Sequence, residues 1–242
     1  MSPSAASWLA RTACVAGIAV AMSTGASAQP VMQLWIAGLQ LSPDNSYSYL
    51  GWLRPVWGGS LGRGWYHKTV GSWLTYRYDT DHEGRQVEVR ARAPGVETGL
   101  GHVWQHDSLQ VDLSVSAGVR HTRRRPDVAS EGPDGTQLTL TPQLSLRQAW
   151  GPRTDGELLA SYSFGTRGRF ARARLGWRPQ ASWRGGVEAS IAAGPDYRNN
   201  QIGLFAGRQV APGLTLDFNA GRAHARDGGH SAYLGLAASK TF

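Results

Sequence analysis

Between Leu109 and Arg120 apolar and polar residues alternate without a break, and this alternation constrains the fold more tightly than anything else in the chain. Leu109, Val111, Leu113, Val115, Ala117 and Val119 share one face of an extended chain; Gln110, Asp112, Ser114, Ser116, Gly118 and Arg120 share the other. Successive side chains of a strand point to opposite faces, whereas a helix groups positions three and four apart. The same period returns where Leu138, Leu140, Leu144 and Leu146 oppose Gln137, Thr139, Thr141, Gln143, Ser145 and Arg147. It returns again where Leu214, Leu216, Phe218 and Ala220 oppose Thr215, Asp217, Asn219 and Gly221. Helical spacing is absent from the rest of the chain beyond its N-terminal segment, and the fold class is all-β.

Turn residues between these runs divide the chain into about twelve strands, near 31–41, 46–57, 64–78, 93–105, 108–121, 135–150, 154–165, 168–178, 182–192, 197–209, 212–224 and 229–242. Polar connections alternate with short, aromatic-flanked ones. The polar set comprises Ser42 to Asn45, Thr80 to Gln86, His121 to Gly135, Gly165 to Arg169, Pro195-Asp196 and His224 to Gly229. An even number of strands with this asymmetry describes a transmembrane antiparallel up-and-down β-barrel in the bacterial outer membrane, polar loops outside and both chain ends in the periplasm. A mean hydropathy of −0.34 is compatible with that, because only every second residue of such a strand faces lipid. Trp57, Trp65, Trp104, Trp150, Trp177 and Trp183 fall at the expected periplasmic rim, and Tyr47, Tyr49, Tyr76, Tyr78, Tyr162 and Tyr197 near the outer rim. Both ring types favour the headgroup level. Pro142, inside a strand where it removes a ladder bond, is expected to mark a bulge.

The N-terminus has the pattern of a cleavable signal peptide: Arg11, an apolar run from Thr12 to Met22, and Ala26-Ser27-Ala28 as the small-residue cleavage motif. The run is shorter than the ~20 residues a membrane-spanning helix requires. Residues 1–28 are therefore assigned to the signal peptide and 29–242 to the barrel. The single cysteine, Cys14, lies within the signal, so disulfides and thiolate metal sites are excluded from the mature chain.

The final strand places Ala232, Leu234, Leu236 and Ala238 in phase with the terminal Phe242, opposite Ser231, Tyr233, Gly235, Ser239 and Thr241. An alternating strand closing on phenylalanine resembles the insertion signal of outer-membrane barrels. Leu234, Leu236 and Phe242 carry it here, and the barrel-assembly machinery is the implied partner. Lys240 departs from the apolar choice on this face, where a long ammonium side chain can snorkel to the interface.

Chemistry-bearing motifs are few. Gly58-Gly59-Ser60-Leu61-Gly62 matches the serine-hydrolase elbow, but that elbow requires a helix to follow, and Trp65 to Tyr78 reads as a strand. The seven histidines lack zinc-binding spacing; His102 and His106, four apart, share a strand face roughly 13 Å from one another. No catalytic, cofactor-binding or metal-ligating residue is assigned. By strand parity, Arg120, Arg147, Arg172, Arg174, Arg178 and Arg184 face the lumen, with Glu97, Asp112, Glu188 and Asp217 as partners. They form either a paired network that rigidifies the interior or a track for an anionic solute or saccharide. The net charge of +8, dispersed and without a nucleic-acid motif, points to lipopolysaccharide or an acidic glycan rather than nucleic acid. Arg123-Arg124-Arg125 is a solvated loop or a contact for lipopolysaccharide phosphates.

Several local sequences and their order resemble the cellulose biosynthesis protein BcsS family: Tyr47-Ser48-Tyr49-Leu50-Gly51, the glycine-rich Gly58 to Gly64, Gly71 to Tyr78, Ala171 to Trp177, and the closing strand. The resemblance implies a non-enzymatic outer-membrane barrel accessory to cellulose or other exopolysaccharide biosynthesis or secretion, with exopolysaccharide or its secretion apparatus as a partner and no catalytic residue to carry over. Two alternatives stand beside it: a small pore for anionic solutes or saccharides with an arginine-lined lumen, and an outer-membrane lipid or glycan hydrolase.

Overall fold

A computed structural model of the chain describes residues 33–43, 45–127, 132–195, 198–225 and 229–242. The signal peptide expected over 1–28 and the ring of Tyr197 lie outside the described residues. The strands are β1 (Leu34–Ser42), β2 (Asn45–Pro55), β3 (Gly64–His82), β4 (Arg85–His106), β5 (Leu109–Arg125), β6 (Gly135–Ala149), β7 (Thr154–Ser163), β8 (Gly168–Gln180), β9 (Trp183–Ala193), β10 (Arg198–Ala211), β11 (Leu214–Ala225) and β12 (His230–Thr241). Each pairs antiparallel with its chain neighbours, and β1 pairs with β12, closing the barrel without an edge. Closure gives each strand a hydrogen-bonded neighbour on both sides, which the hydrocarbon region requires.

Parity holds around the whole ring. The register carries inward positions onto inward positions from Leu34↔Leu53 on one side of the seam to Ile36↔Ser239 on the other. The faces differ as the alternation requires. Leu39, Leu50, Leu113, Val115, Leu140, Leu175, Ile202, Leu204, Leu234 and Leu236 are exposed on the outer surface, and Leu138 reaches 81%. An exposed apolar area of that extent marks a lipid contact. The six tryptophans expected at the periplasmic rim are all exposed, at the end of the barrel that carries both termini of the ring.

Three expectations need correction. The segment from Thr80 to Gln86 is not a loop: β3 and β4 continue to His82↔Arg85, closed by Glu83 (φ 54°) and Gly84 (φ 75°). A two-residue hairpin needs both residues left-handed, and Glu-Gly is a weaker marker of it than Asn-Gly. Pro142 marks no bulge: β5 and β6 keep register through Val115↔Pro142. Its missing N–H falls on the other side, where the ladder to β7 ends at Gln143↔Ser161. Finally, the tyrosines form no outer girdle. Tyr47 and Tyr78 are buried inside the barrel, and Tyr49 and Tyr76 share their inward parity; Tyr162 is exposed outside. Position along the strand suggested a rim, but parity decides the face.

Candidate functional site: the charged lumen

Long polar side chains lie along the inner wall because glycines leave room for them. On β4, Gly95, Gly99 and Gly101 face inward between β3 and β5. Tyr66 crosses Gly101, donating its hydroxyl to Asp112 at 2.7 Å, and a Cβ on Gly101 would stand 2.3 Å from the Tyr66 ring. Lys68 reaches from β3 past Gly99 to Ser114 at 2.8 Å, and Arg120 reaches from β5 past Gly95 to Ser72 at 3.2 Å. On the opposite wall, Tyr233 of β12 crosses Gly203 to donate to Glu188 of β9 at 2.9 Å.

The densest cluster centres on Asp155 of β7, whose side chain is fully buried. Arg184 donates to it from Nε at 3.0 Å and through Nη2, Arg178 approaches at 2.8 Å, and Arg147 at 3.9 Å. Glu157, one inward position along, takes Arg184 at 3.0 Å and Arg147 at 3.7 Å. Arg184 passes over Gly176 to get there. Two carboxylates thus hold three guanidinium groups at the periplasmic end of the lumen.

Towards the middle, Arg174 is held by Glu188 at 2.7 Å, and Glu188 also accepts from Asn219 at 2.6 Å. The Phe205 ring lies beneath Arg174 and Arg184, 4.6 and 4.9 Å from their guanidinium carbons. Such a desolvated cation–π contact is worth about 2 kcal/mol. One residue along this wall differs. Arg172 makes no hydrogen bond or ion pair among the described residues; it faces Arg174, Glu188 and Glu157 electrostatically, and more weakly Tyr49 of β2. Strands β2 and β8 lie on opposite sides of the twelve-membered ring, and Arg172 and Tyr49 both hold inward register positions. Asp217, inward on β11, likewise lacks an ion pair among the described residues and faces Arg174 and Arg184 electrostatically.

The six arginines named from strand parity all sit on inward register positions. Arg147, Arg178 and Arg184 meet at Asp155, Arg174 stands with Glu188, Arg172 stands one inward position along β8 from Arg174, and Arg120 is separate, on the β3–β5 wall. The partners Asp155 and Glu157 were not named from sequence. The strand expected over 154–165 contains both and gives them inward parity, but parity alone does not show which inward arginines converge on them. Leu234, Leu236 and Phe242 are exposed on the outer surface. Lys240 donates to the Pro212 carbonyl at 2.9 Å, with its ammonium 5.5 Å from the Phe242 ring centre. Ser60 lies in the β2–β3 turn, bridged to Arg63, and strand β3 follows at Gly64. His102 faces outward among rim tryptophans, 4.9 Å from Trp65 and 4.3 Å from Trp104 between ring centres. Among the described residues no group of three His, Cys, Asp or Glu side chains is placed to hold a metal ion.

A closed twelve-strand sheet, apolar outside, charged inside and rimmed by tryptophan, defines a bacterial outer-membrane β-barrel. Solved barrels of that class superpose on it. The KdgM porin does so with a TM-score of 0.53 at 10% identity, over 86% of this chain and 99% of that one. An outer-membrane channel from Pseudomonas putida F1 gives 0.55 at 12%, over 89% and 97%. LpxR from Salmonella typhimurium gives 0.51 at 11%, over 87% and 100%. At these identities the likeness concerns the fold. Sequence comparison with curated proteins gives no match. Within the class, the chain belongs to the cellulose biosynthesis protein BcsS family, whose profile matches residues 34–242, from the first residue of β1 to the terminal phenylalanine.

Proposed function

We propose that this chain is a non-enzymatic accessory barrel of bacterial cellulose or related exopolysaccharide production, acting at the outer membrane in the secretion of the polymer. The family match over the whole barrel carries this reading. The placement of Ser60 in a strand-to-strand turn and the commitment of most lumen charges to one another favour a structural or conducting role over a hydrolytic one. The test is deletion of the gene, with cellulose quantified by dye binding and by glucose released on hydrolysis. Reduced or mislocalised polymer is expected, restored by the intact gene. Unchanged amount, location and texture would overturn the proposal.

A second reading, a narrow pore for saccharides or anionic solutes, is favoured by Arg172, an inward cation without an ion-pair partner among the described residues, opposite Tyr49. A solute carboxylate or sulfate passing along this wall would find there a guanidinium able to donate two parallel hydrogen bonds. Planar-bilayer recordings of the purified barrel should show conductance with anion preference, and Arg172→Gln should abolish the preference while leaving a conducting barrel. A silent bilayer, or a preference indifferent to Arg172, refutes the pore.

A further inference from the structure

The outer surface of β3, β4 and β5 changes chemistry abruptly at one level. Down β4 the outward column runs from Trp104 through Leu100 and Val96 to Pro94, and then becomes Arg92 and Arg90. On β5 it runs from Val111 through Val115 and Val119 to His121, and then becomes Arg123 and Arg125. The ten residue steps from Trp104 to Pro94 span roughly 33 Å of strand. At a tilt of about 40° that is roughly 25 Å of height, the apolar band of an outer-membrane barrel. Trp73, exposed and paired with Pro94, marks the upper boundary. The arginines therefore begin where the hydrocarbon ends, on the lipid side of the wall.

Their arrangement is costly unless something negative joins them. Arg77, Arg90 and Arg125 stand opposite one another in a single cross-strand row, and Arg92 and Arg123 form the row below. Like charges directly opposite destabilise a sheet. Strand spacing and rise put all five within about 10 Å by 7 Å. The outward carboxylates beyond them are few. Glu88 accepts from Arg90 at 2.8 Å, a hydrogen bond that holds its carboxyl below the usual carboxylate range. Asp79 stands beside Glu88 in the same outer row, and Asp81 caps the hairpin by accepting from the Gly84 N–H. Arg92, Arg123 and Arg125 are exposed and make no ion pair among the described residues. β2 begins at Asn45↔Tyr76, so the β3–β5 extension rises beside a shortened neighbour. A groove of ≈ 520 Å³ opens there, lined by these arginines with Pro43, Thr75 and, at its floor along the strand ends, Asn45, Tyr76 and Ala91.

We infer that this outward groove is a binding site for the phosphate groups of an anionic glycolipid of the outer leaflet. The side chains point away from the lumen, so a solute travelling through the barrel never meets them. They lie at headgroup depth, where guanidinium forks match phosphate oxygens bidentately. The inference is independent of which polymer the barrel serves.

The purified barrel is placed in phosphatidylcholine nanodiscs containing either bisphosphorylated lipid A or the same lipid enzymatically dephosphorylated, and retained lipid is counted by native mass spectrometry. The wild type should retain the phosphorylated form at least tenfold better. Arg92→Gln/Arg123→Gln/Arg125→Gln should lose that preference, while Arg208→Gln, at the other rim, keeps it. Folding is controlled by the sign of a second readout. Without lipid A the triple variant should melt at or above the wild type, because repulsion is gone, and with lipid A it should melt below it. A wild type indifferent to lipid phosphorylation, a triple variant that retains the preference, or displacement of lipid A by an equal concentration of inorganic phosphate would each overturn the assignment.

Discussion

Replacing Asp155 by asparagine removes one charge from a buried carboxylate that holds three arginines. Arg184 at 3.0 Å and Arg147 at 3.9 Å would then keep Glu157 alone, and Arg178 at 2.8 Å would lose its ion pair. Breaking a buried ion pair by removing one partner costs about 3–5 kcal/mol, because the other charge stays buried without compensation. The full burial of the Asp155 side chain justifies using that range undiscounted. With a urea slope near 3 kcal/mol per molar, the unfolding midpoint should fall by about 1–2 M. The assay is urea unfolding of the folded barrel in detergent micelles, followed by tryptophan fluorescence and by heat-modifiable gel mobility. Asp155→Asn combined with Arg178→Gln should recover about 1–3 kcal/mol, the coupling expected of contacting groups. Asp217→Asn, which breaks no ion pair among the described residues, serves as the internal control. A loss below about 1 kcal/mol for Asp155→Asn, the level of a solvent-exposed pair, would refute the buried-hub reasoning.

Two further outcomes are expected. Gly101→Ala puts a methyl group 2.3 Å from the Tyr66 ring and dislodges the hydroxyl from Asp112; overpacking of this kind costs about 1–3 kcal/mol, measurable in the same unfolding assay, whereas Tyr66→Phe should cost less. Deletion of Phe242 removes an exposed apolar terminus that contributes nothing to the lumen. It should cut the yield of barrel in outer-membrane fractions several-fold and leave the unfolding midpoint of assembled protein within about 0.5 kcal/mol of wild type.

The barrel was legible in the sequence because a period of two admits only one geometry, and twelve runs of it with both ends on one side leave few ways to close. The inward arginines were legible for the same reason, since parity propagates through the register. What escaped depends on contacts that parity does not encode. Tyr47 and Tyr49 match a rim by position along the strand, yet they share a face with Gly51 and Leu53 and so fill the lumen. The continuation of β3 and β4 past Tyr78 is written in charged residues, which read as loop. Only the pairing of Val87 with Thr80 and Val89 with Tyr78 discloses it. The role of Asp155 depends on Gly176 letting Arg184 reach across β8, a coincidence of two strands that no single run displays.

Charge placement also bears on what the barrel handles. A net charge of +8 sits awkwardly with a neutral glucan if that charge lines the path of the polymer. It does not line it. Below the β3–β4 hairpin tip, where Arg85 stands exposed, inward strand positions hold eight cations, Lys68 and seven arginines, against six carboxylates, and one of the seven, Arg124, is held by Asp134 from the neighbouring loop. The interior is close to neutral, and the excess stands on the outer face and the rims, where β3 to β5 alone present five arginines to the headgroup layer. Two physical demands are met by different faces of one sheet. The inside pairs its charges, which stiffens the wall and leaves a weak net field in the lumen, and the outside concentrates cations at headgroup depth. An uncharged polymer and a basic protein are therefore compatible. The arginines that seemed to argue against a glucan belong, for the most part, to the membrane.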